Sequence, residues 1–188
     1  MSDNSESLLG VVYLSDHLPT LTAFTAPVVE YPFPTVLEPM RVPPGYFPIE
    51  VVQFWRGEIV PGRPLPLHWA IIVRTDADRG NCHEIVGDKH TYATQDRFDI
   101  PVNWERHKDW RGAHVVGYVS PDRLNDFLNH IALVPVVRER WTWNCQNWVY
   151  DALTGLNQPD LYTDVNMTFG ALQTQMCCLL EAWEIGEI

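Results

Sequence analysis

The sequence predicts an α+β domain, on three observations. Segments rich in β-branched and aromatic residues crowd the stretch between residues 49 and 119, helical periodicity is confined to the stretch after residue 120, and the two patterns follow one another as blocks rather than alternating. Chains of 188 residues with 46% hydrophobic and 20% charged residues bury a full core, so one main domain over residues 49–188 is expected.

Residues 1–48 stand apart. They hold eight of the fifteen prolines, which excludes regular helix. The apolar residues between them (Leu8, Val11, Tyr13, Phe24, Val29, Phe33) predict an extended arm packed on the core rather than a disordered tail.

The first strand is expected at residues 49–56, rich in Val, Ile, Phe and Trp. A loop marked by Pro61-Gly62 and Pro64-Leu65-Pro66 leads to a second at 67–73. Residues 74–80, with two aspartates and a glycine, form the turn into a third strand at 83–87. A fourth is expected at 114–119. The polar, weakly periodic interval 91–111 reads as loop. Ser120 and Pro121 have the grammar of a helix start, and Leu124, Phe127, Leu128 and Ile131 form one apolar stripe. A second helix is expected from Thr142 or Asn144 through Leu153, stopped by Gly155. A third is expected over residues 169–183.

Charge narrows the partners. Thirteen basic against twenty-four acidic residues leave a net charge of −11, which disfavours polyanions such as nucleic acid and anionic membrane surfaces. There is no secretory signal and no apolar run long enough for a transmembrane segment, so a cytoplasmic protein is expected. The four cysteines have neither disulfide-framework nor zinc spacing, and no cofactor or metal is expected. Cys177 and Cys178 read as packing residues on the last helix. His107, with Trp104, Glu105 and Trp110, reads as a solvated loop with aromatic anchors.

Cys145 is the residue on which chemistry converges. In the first turn of a helix, unpaired N–H groups and the positive dipole end favour a thiolate, and the same groups can receive charge developing on a carbonyl oxygen. Asn144 and Gln146 flank it with polar donors. His68, at the head of an otherwise apolar strand, is the candidate base. A third polar group must orient that imidazole, and His83 on the return strand is preferred, with Glu84 and Asp88 as rivals. Two hairpin registers serve these choices: a tight turn centred between Thr75 and Asp76 sets His83 opposite His68, whereas a wide loop sets His83 opposite Val73 and His68 opposite Asp88.

The order His68-Trp69-Ala70-Ile71, then His83, then Asn144-Cys145-Gln146-Asn147-Trp148-Val149 resembles the circularly permuted papain-like cysteine hydrolases and acyltransferases of the lecithin:retinol acyltransferase type, within the NlpC-like superfamily. The segment Val52-Gln53-Phe54-Trp55-Arg56 is similar to the strand before the histidine in that group, and the resemblance runs from residue 49 to about residue 155. It implies an antiparallel sheet packed on the cysteine-bearing helix, with Cys145 as nucleophile, His68 as base and His83 as the third residue. This sequence departs from the group in three ways. Fifteen residues separate His68 and His83, Gln146-Asn147 replaces Glu-His, and the hydrophobic membrane-anchoring tail is missing.

The expected function is therefore a thiol hydrolase or acyltransferase acting on an amide, ester or thioester of a small molecule or peptide, through an acyl-enzyme on Cys145. The alternatives are a non-catalytic papain-like binding module, or a biosynthetic cyclase or isomerase using His68 as its acid–base group.

Overall fold

The computed structural model describes residues 40–103, 107–156, 158–163 and 167–188, all within one compact unit spanning residues 34–188. Most of the expected N-terminal arm, with Trp104 and Glu105, lies outside the described residues. The chain runs β1 (Phe47–Phe54), a small hairpin of β2 (Glu58–Val60) and β3 (Arg63–Pro64), β4 (His68–Arg74), β5 (Arg79–Val86), β6 (Ala93–Pro101) and β7 (Trp110–Val119). A single 3-10 turn at Pro121–Arg123 leads into α1 (Leu124–Leu133), followed by α2 (Cys145–Thr154), β8 (Leu161–Thr163) and α3 (Phe169–Glu184). The α+β class is as expected.

Six strands form one antiparallel sheet in the order β6-β5-β4-β1-β7-β8. Alternation along the strands divides two packing layers. Ile49, Val51, Trp69, Ile71, Val73 and Ile85 join the helical residues Phe127, Ile131, Trp148, Val149, Leu153, Leu172 and Met176 in the main core. Val52, Ala70, Ile72 and Cys82 join Val102 in a smaller cluster. Full burial of a side chain such as Phe127 contributes roughly 1.5–3 kcal/mol, so this layer of helices holds the sheet in place.

The β4–β5 register differs from both expected ones. Ile71 faces His83 and Arg74 faces Gly80. The turn closes where the backbone N–H groups of Thr75 and Asp76 both donate to the Arg79 carbonyl, and Asp76 Oδ1 accepts from Ala77 N–H at 2.7 Å. Gly80 suits this pairing, since a Cβ there would lie 2.7 Å from the Val73 carbonyl oxygen.

The interval 91–111 is not all loop. β6 pairs with β5 along Arg79–Val86, yet eight of its nine residues are exposed. An edge strand with neither face covered has no apolar alternation to read, and its charged residues Asp96, Arg97 and Asp99 blunt the open edge. The strand β7 begins four residues before the expected start. Ser120 makes no side-chain cap; it precedes the 3-10 turn, where its carbonyl accepts from Arg123 N–H. Asn144 and Thr168 do cap α2 and α3.

Candidate active site

The site lies where the first residue of β4 meets the first residue of α2. Asn144 Oδ1 accepts from Gln146 N–H at 2.8 Å, while Asn147 Oδ1 accepts from Asn144 N–H at 3.0 Å. This reciprocal box starts the helix at Cys145 and commits the flanking donors. Cys145 is 3% exposed, with its Sγ 3.9 Å from the Leu67 carbonyl oxygen.

His68 sits on the same face of β4 as Ala70 and Ile72. Glu84 sits on the same face of β5 as Cys82, one residue beyond the Ile71–His83 pair, which brings the two side chains together diagonally across the strands. His68 Nε2 lies 2.6 Å from Glu84 Oε2, with the side chains 16% and 8% exposed. That leaves the other ring nitrogen, Nδ1, clear of Glu84, and the imidazole and the Cys145 thiol act on one another's protonation. Arg97 on β6 completes the row, donating to Glu84 Oε1 at 2.7 Å and to Cys82 Sγ at 3.3 Å.

The row Cys145, His68, Glu84, Arg97 alternates acid and base, and the charges follow. Burial by itself disfavours the His68 cation, but hydrogen bonds and charge interactions with Cys145 and Glu84 outweigh it and raise the imidazole from 6.5 to about 9. Burial likewise opposes the Cys145 thiolate. The His68 bond and charge, the Trp69 backbone N–H and the Arg56 charge overcome that and bring the thiol below its ordinary 9.0. Burial works against the Glu84 anion too, yet His68 and Arg97 hold this carboxyl below its ordinary 4.5. Together these influences shift the pair towards thiolate and imidazolium, backed by a carboxylate.

The other sequence-selected residues are elsewhere. His83 is on the helix-covered face, 1% exposed, with Nδ1 2.7 Å from Asp96 Oδ1 and its ring edge-on to Phe127 at 5.4 Å. The structure thus gives the place beside His68 to Glu84. Replacing His83 by Leu is expected to leave the rate of Cys145 alkylation by iodoacetamide within about twofold of the parent, because among the described residues the His83 side chain bonds to Asp96 and not to Cys145, His68 or Glu84. A tenfold loss in a folded variant would return His83 to the site.

Asp88 caps its own turn through His90 N–H and Thr91. Cys177 is exposed and Cys178 half-buried, so neither is the core residue expected. The thiol of Cys82 is pushed up to about 12 by burial and by Glu84, which leaves it inert.

A cavity of about 690 Å³ opens onto Cys145, His68 and Glu84. Its walls include Phe54, Tyr92 and Ile100, with Arg56 and His107 among the polar lining residues. His107, expected as part of a solvated loop, is exposed and also stacks edge-on against Phe54 at 5.5 Å. Among the described residues, no group of three His, Cys, Asp or Glu side chains is placed to hold a metal ion, and no helix is long and apolar enough to cross a membrane. Sequence reasoning missed Arg97, Tyr92 and Arg56. For Arg97, the signal was the two-residue spacing of Gln95, Arg97 and Asp99, visible only once β6 is recognised as a strand.

The fold and site define an α+β domain with one six-stranded antiparallel sheet and a largely buried Cys–His–Glu row at one end of its central strands. More particularly, the chain belongs to a family of unknown function, DUF6540, whose match covers residues 58–161 and so takes in His68, Glu84, Arg97 and Cys145. No curated protein matches the chain, and no solved structure does.

Proposed function

We propose that this protein is a cysteine-dependent hydrolase or acyltransferase of permuted papain-like type, acting on an amide, ester or thioester. The observation that carries the reading is the row in which Glu84 lies 2.6 Å from His68 and the His68 imidazole and Cys145 thiol act on one another. A helix start supplying the sulfur, a strand supplying the imidazole and the antiparallel neighbour supplying the carboxylate, in the chain order His, Glu, Cys, support it further.

The chemistry runs in two halves. The Cys145 thiolate attacks the substrate carbonyl carbon, and the electron pair of the C=O bond moves to oxygen, where the Cys145 N–H and the positive end of α2 offer stabilisation. As the tetrahedral adduct collapses, the bond to the leaving group breaks and the His68 imidazolium passes its proton to that group. A thioester on Cys145 remains, with neutral His68. His68 then takes a proton from water, an amine or an alcohol as it attacks the thioester. The acyl group leaves on the acceptor and the thiolate–imidazolium pair returns. Glu84 holds the ring and favours the charged form that opens the first half and forms as His68 takes the proton in the second. All four cysteines are unpaired, which suits the reducing cytoplasm.

Intact-mass measurement after brief exposure to a small aryl thioester tests the proposal. One acyl group is expected on Cys145, dischargeable by hydroxylamine and absent from Cys145→Ala. Faster acylation of the exposed Cys177 would show that Cys145 is not the nucleophile.

A further inference from the structure

Two hydrogen-bond donors in the Cys145 cavity have no acceptor among the described residues. Tyr92 is 7% exposed, with its ring edge-on against Trp143 at 5.7 Å. Its hydroxyl makes no hydrogen bond among the described residues, although it is not one of the sealed polar atoms, and the residue lines the cavity. Arg56, just past the end of β1, lines the same cavity. It is exposed and has neither an ion pair nor a hydrogen bond among the described residues.

The two belong together. The Arg56 guanidinium lies within electrostatic reach of both the Tyr92 hydroxyl and the Cys145 sulfur. The neighbouring Arg97 is already bound to Glu84, so it is not free in the same way. Asp109 also lines the cavity; its carbonyl accepts from Trp55 N–H at 2.6 Å and its own N–H donates to His107 Nδ1 at 3.3 Å. One unpaired guanidinium, one phenol and a nearby carboxylate match a singly charged anion better than a doubly charged phosphate. Apolar walls, among them Phe54 and Ile100, line the rest of the space.

Resting on the assignment of Cys145 as nucleophile, the geometry points to an acyl substrate that carries a carboxylate, bound by the Arg56 guanidinium and the Tyr92 hydroxyl while its reacting carbonyl lies at Cys145. A carboxylate oxygen accepts from each donor, so the positive group in the cavity is matched and the Tyr92 hydroxyl gains a partner. The remaining surface of this acidic chain repels such a ligand, which makes the local pair decisive for selection.

Two thiol reagents of similar size test this on the full chain: N-carboxyethylmaleimide, which carries a carboxylate, and neutral N-ethylmaleimide. Rates at Cys145 are read by peptide mass spectrometry, and their ratio is compared with that for the uncharged thiol mercaptoethanol. The ratio is taken within each variant, so changes in thiolate population cancel. Cys145 is expected to favour the carboxylated reagent by about tenfold relative to mercaptoethanol at low salt. Arg56→Gln is expected to reduce that preference to about twofold, the remainder coming from the His68 cation, while Tyr92→Phe reduces it about threefold and Arg56→Lys keeps most of it. Glutarate is expected to slow the labelling, and inorganic phosphate is not. Equal ratios in the parent, Arg56→Gln and Tyr92→Phe overturn the carboxylate site, as does protection by phosphate alone. If neither reagent modifies Cys145 while Cys177 is labelled, the nucleophile assignment itself fails and the substrate inference goes with it.

Discussion

Replacing His68 by Ala is expected to abolish turnover and to slow alkylation of Cys145 by iodoacetamide at pH 6 by at least about 100-fold. The reason lies in what remains. Burial is the largest influence on Cys145 and pushes its thiol upward; the His68 bond and charge are the leading influences against it. Without them only the Trp69 N–H and the Arg56 charge oppose burial, so the thiol rises and its thiolate fraction at pH 6 falls. The check is the second-order alkylation rate from pH 5 to 10, site by site. In the parent, Cys145 reacts ahead of the other three thiols across the neutral range. In His68→Ala its rate climbs only near pH 9 and above. An unchanged pH midpoint would mean that His68 does not activate the sulfur.

Glu84→Gln carries the second large effect, and it acts on both stability and rate. Glu84 is 8% exposed and bonded on one side to His68 and on the other to Arg97, which is 47% exposed. Breaking a fully buried pair costs roughly 3–5 kcal/mol; with Arg97 half in water, roughly 2–3 kcal/mol is expected here, read as ΔG in urea at pH 6. The sign of the pH dependence follows from the shifts. Because the folded-state carboxyl of Glu84 lies below its ordinary 4.5, its stabilisation is present above that pH and is lost as pH falls through the lowered value. His68 is raised from 6.5 to about 9, so its contribution is complete below about 6.5 and is lost as pH rises through about 9. The parent and Glu84→Gln should thus differ most between about pH 5 and 6.5, and converge in strong acid. In activity, the variant is expected to lose about 100-fold in kcat, with an earlier alkaline decline, because a neutral amide no longer favours the charged ring. Equal stability curves for the two proteins would remove Glu84 from the row.

Much of this molecule was legible without coordinates. The β-branched runs around Val51 and Ile71, the stripe Leu124, Phe127 and Ile131, and the stop at Gly155 each encode their element locally, through side-chain shape and backbone conformation. Cys145 was legible for the same reason: Asn144 before it and the apolar helix after it mark a helix start, and helix starts favour anions. β6 was not, because an exposed edge strand is held by backbone pairing and leaves little side-chain pattern. The choice among His83, Glu84 and Asp88 was also closed to sequence, since sliding the hairpin by one residue carries each side chain to the opposite face.

The amino-acid sequence by itself determined the α+β class, the helix that presents Cys145 and the strand that presents His68, because each depends on neighbours within a few residues. Only the tertiary structure decided that Glu84 rather than His83 stands behind His68, that Arg97 closes the row, and that Arg56 and Tyr92 share its cavity. Those pairings join residues 13 to 36 positions apart, set by the β4–β5 register and by where the sheet ends against α2, and no local pattern encodes that geometry.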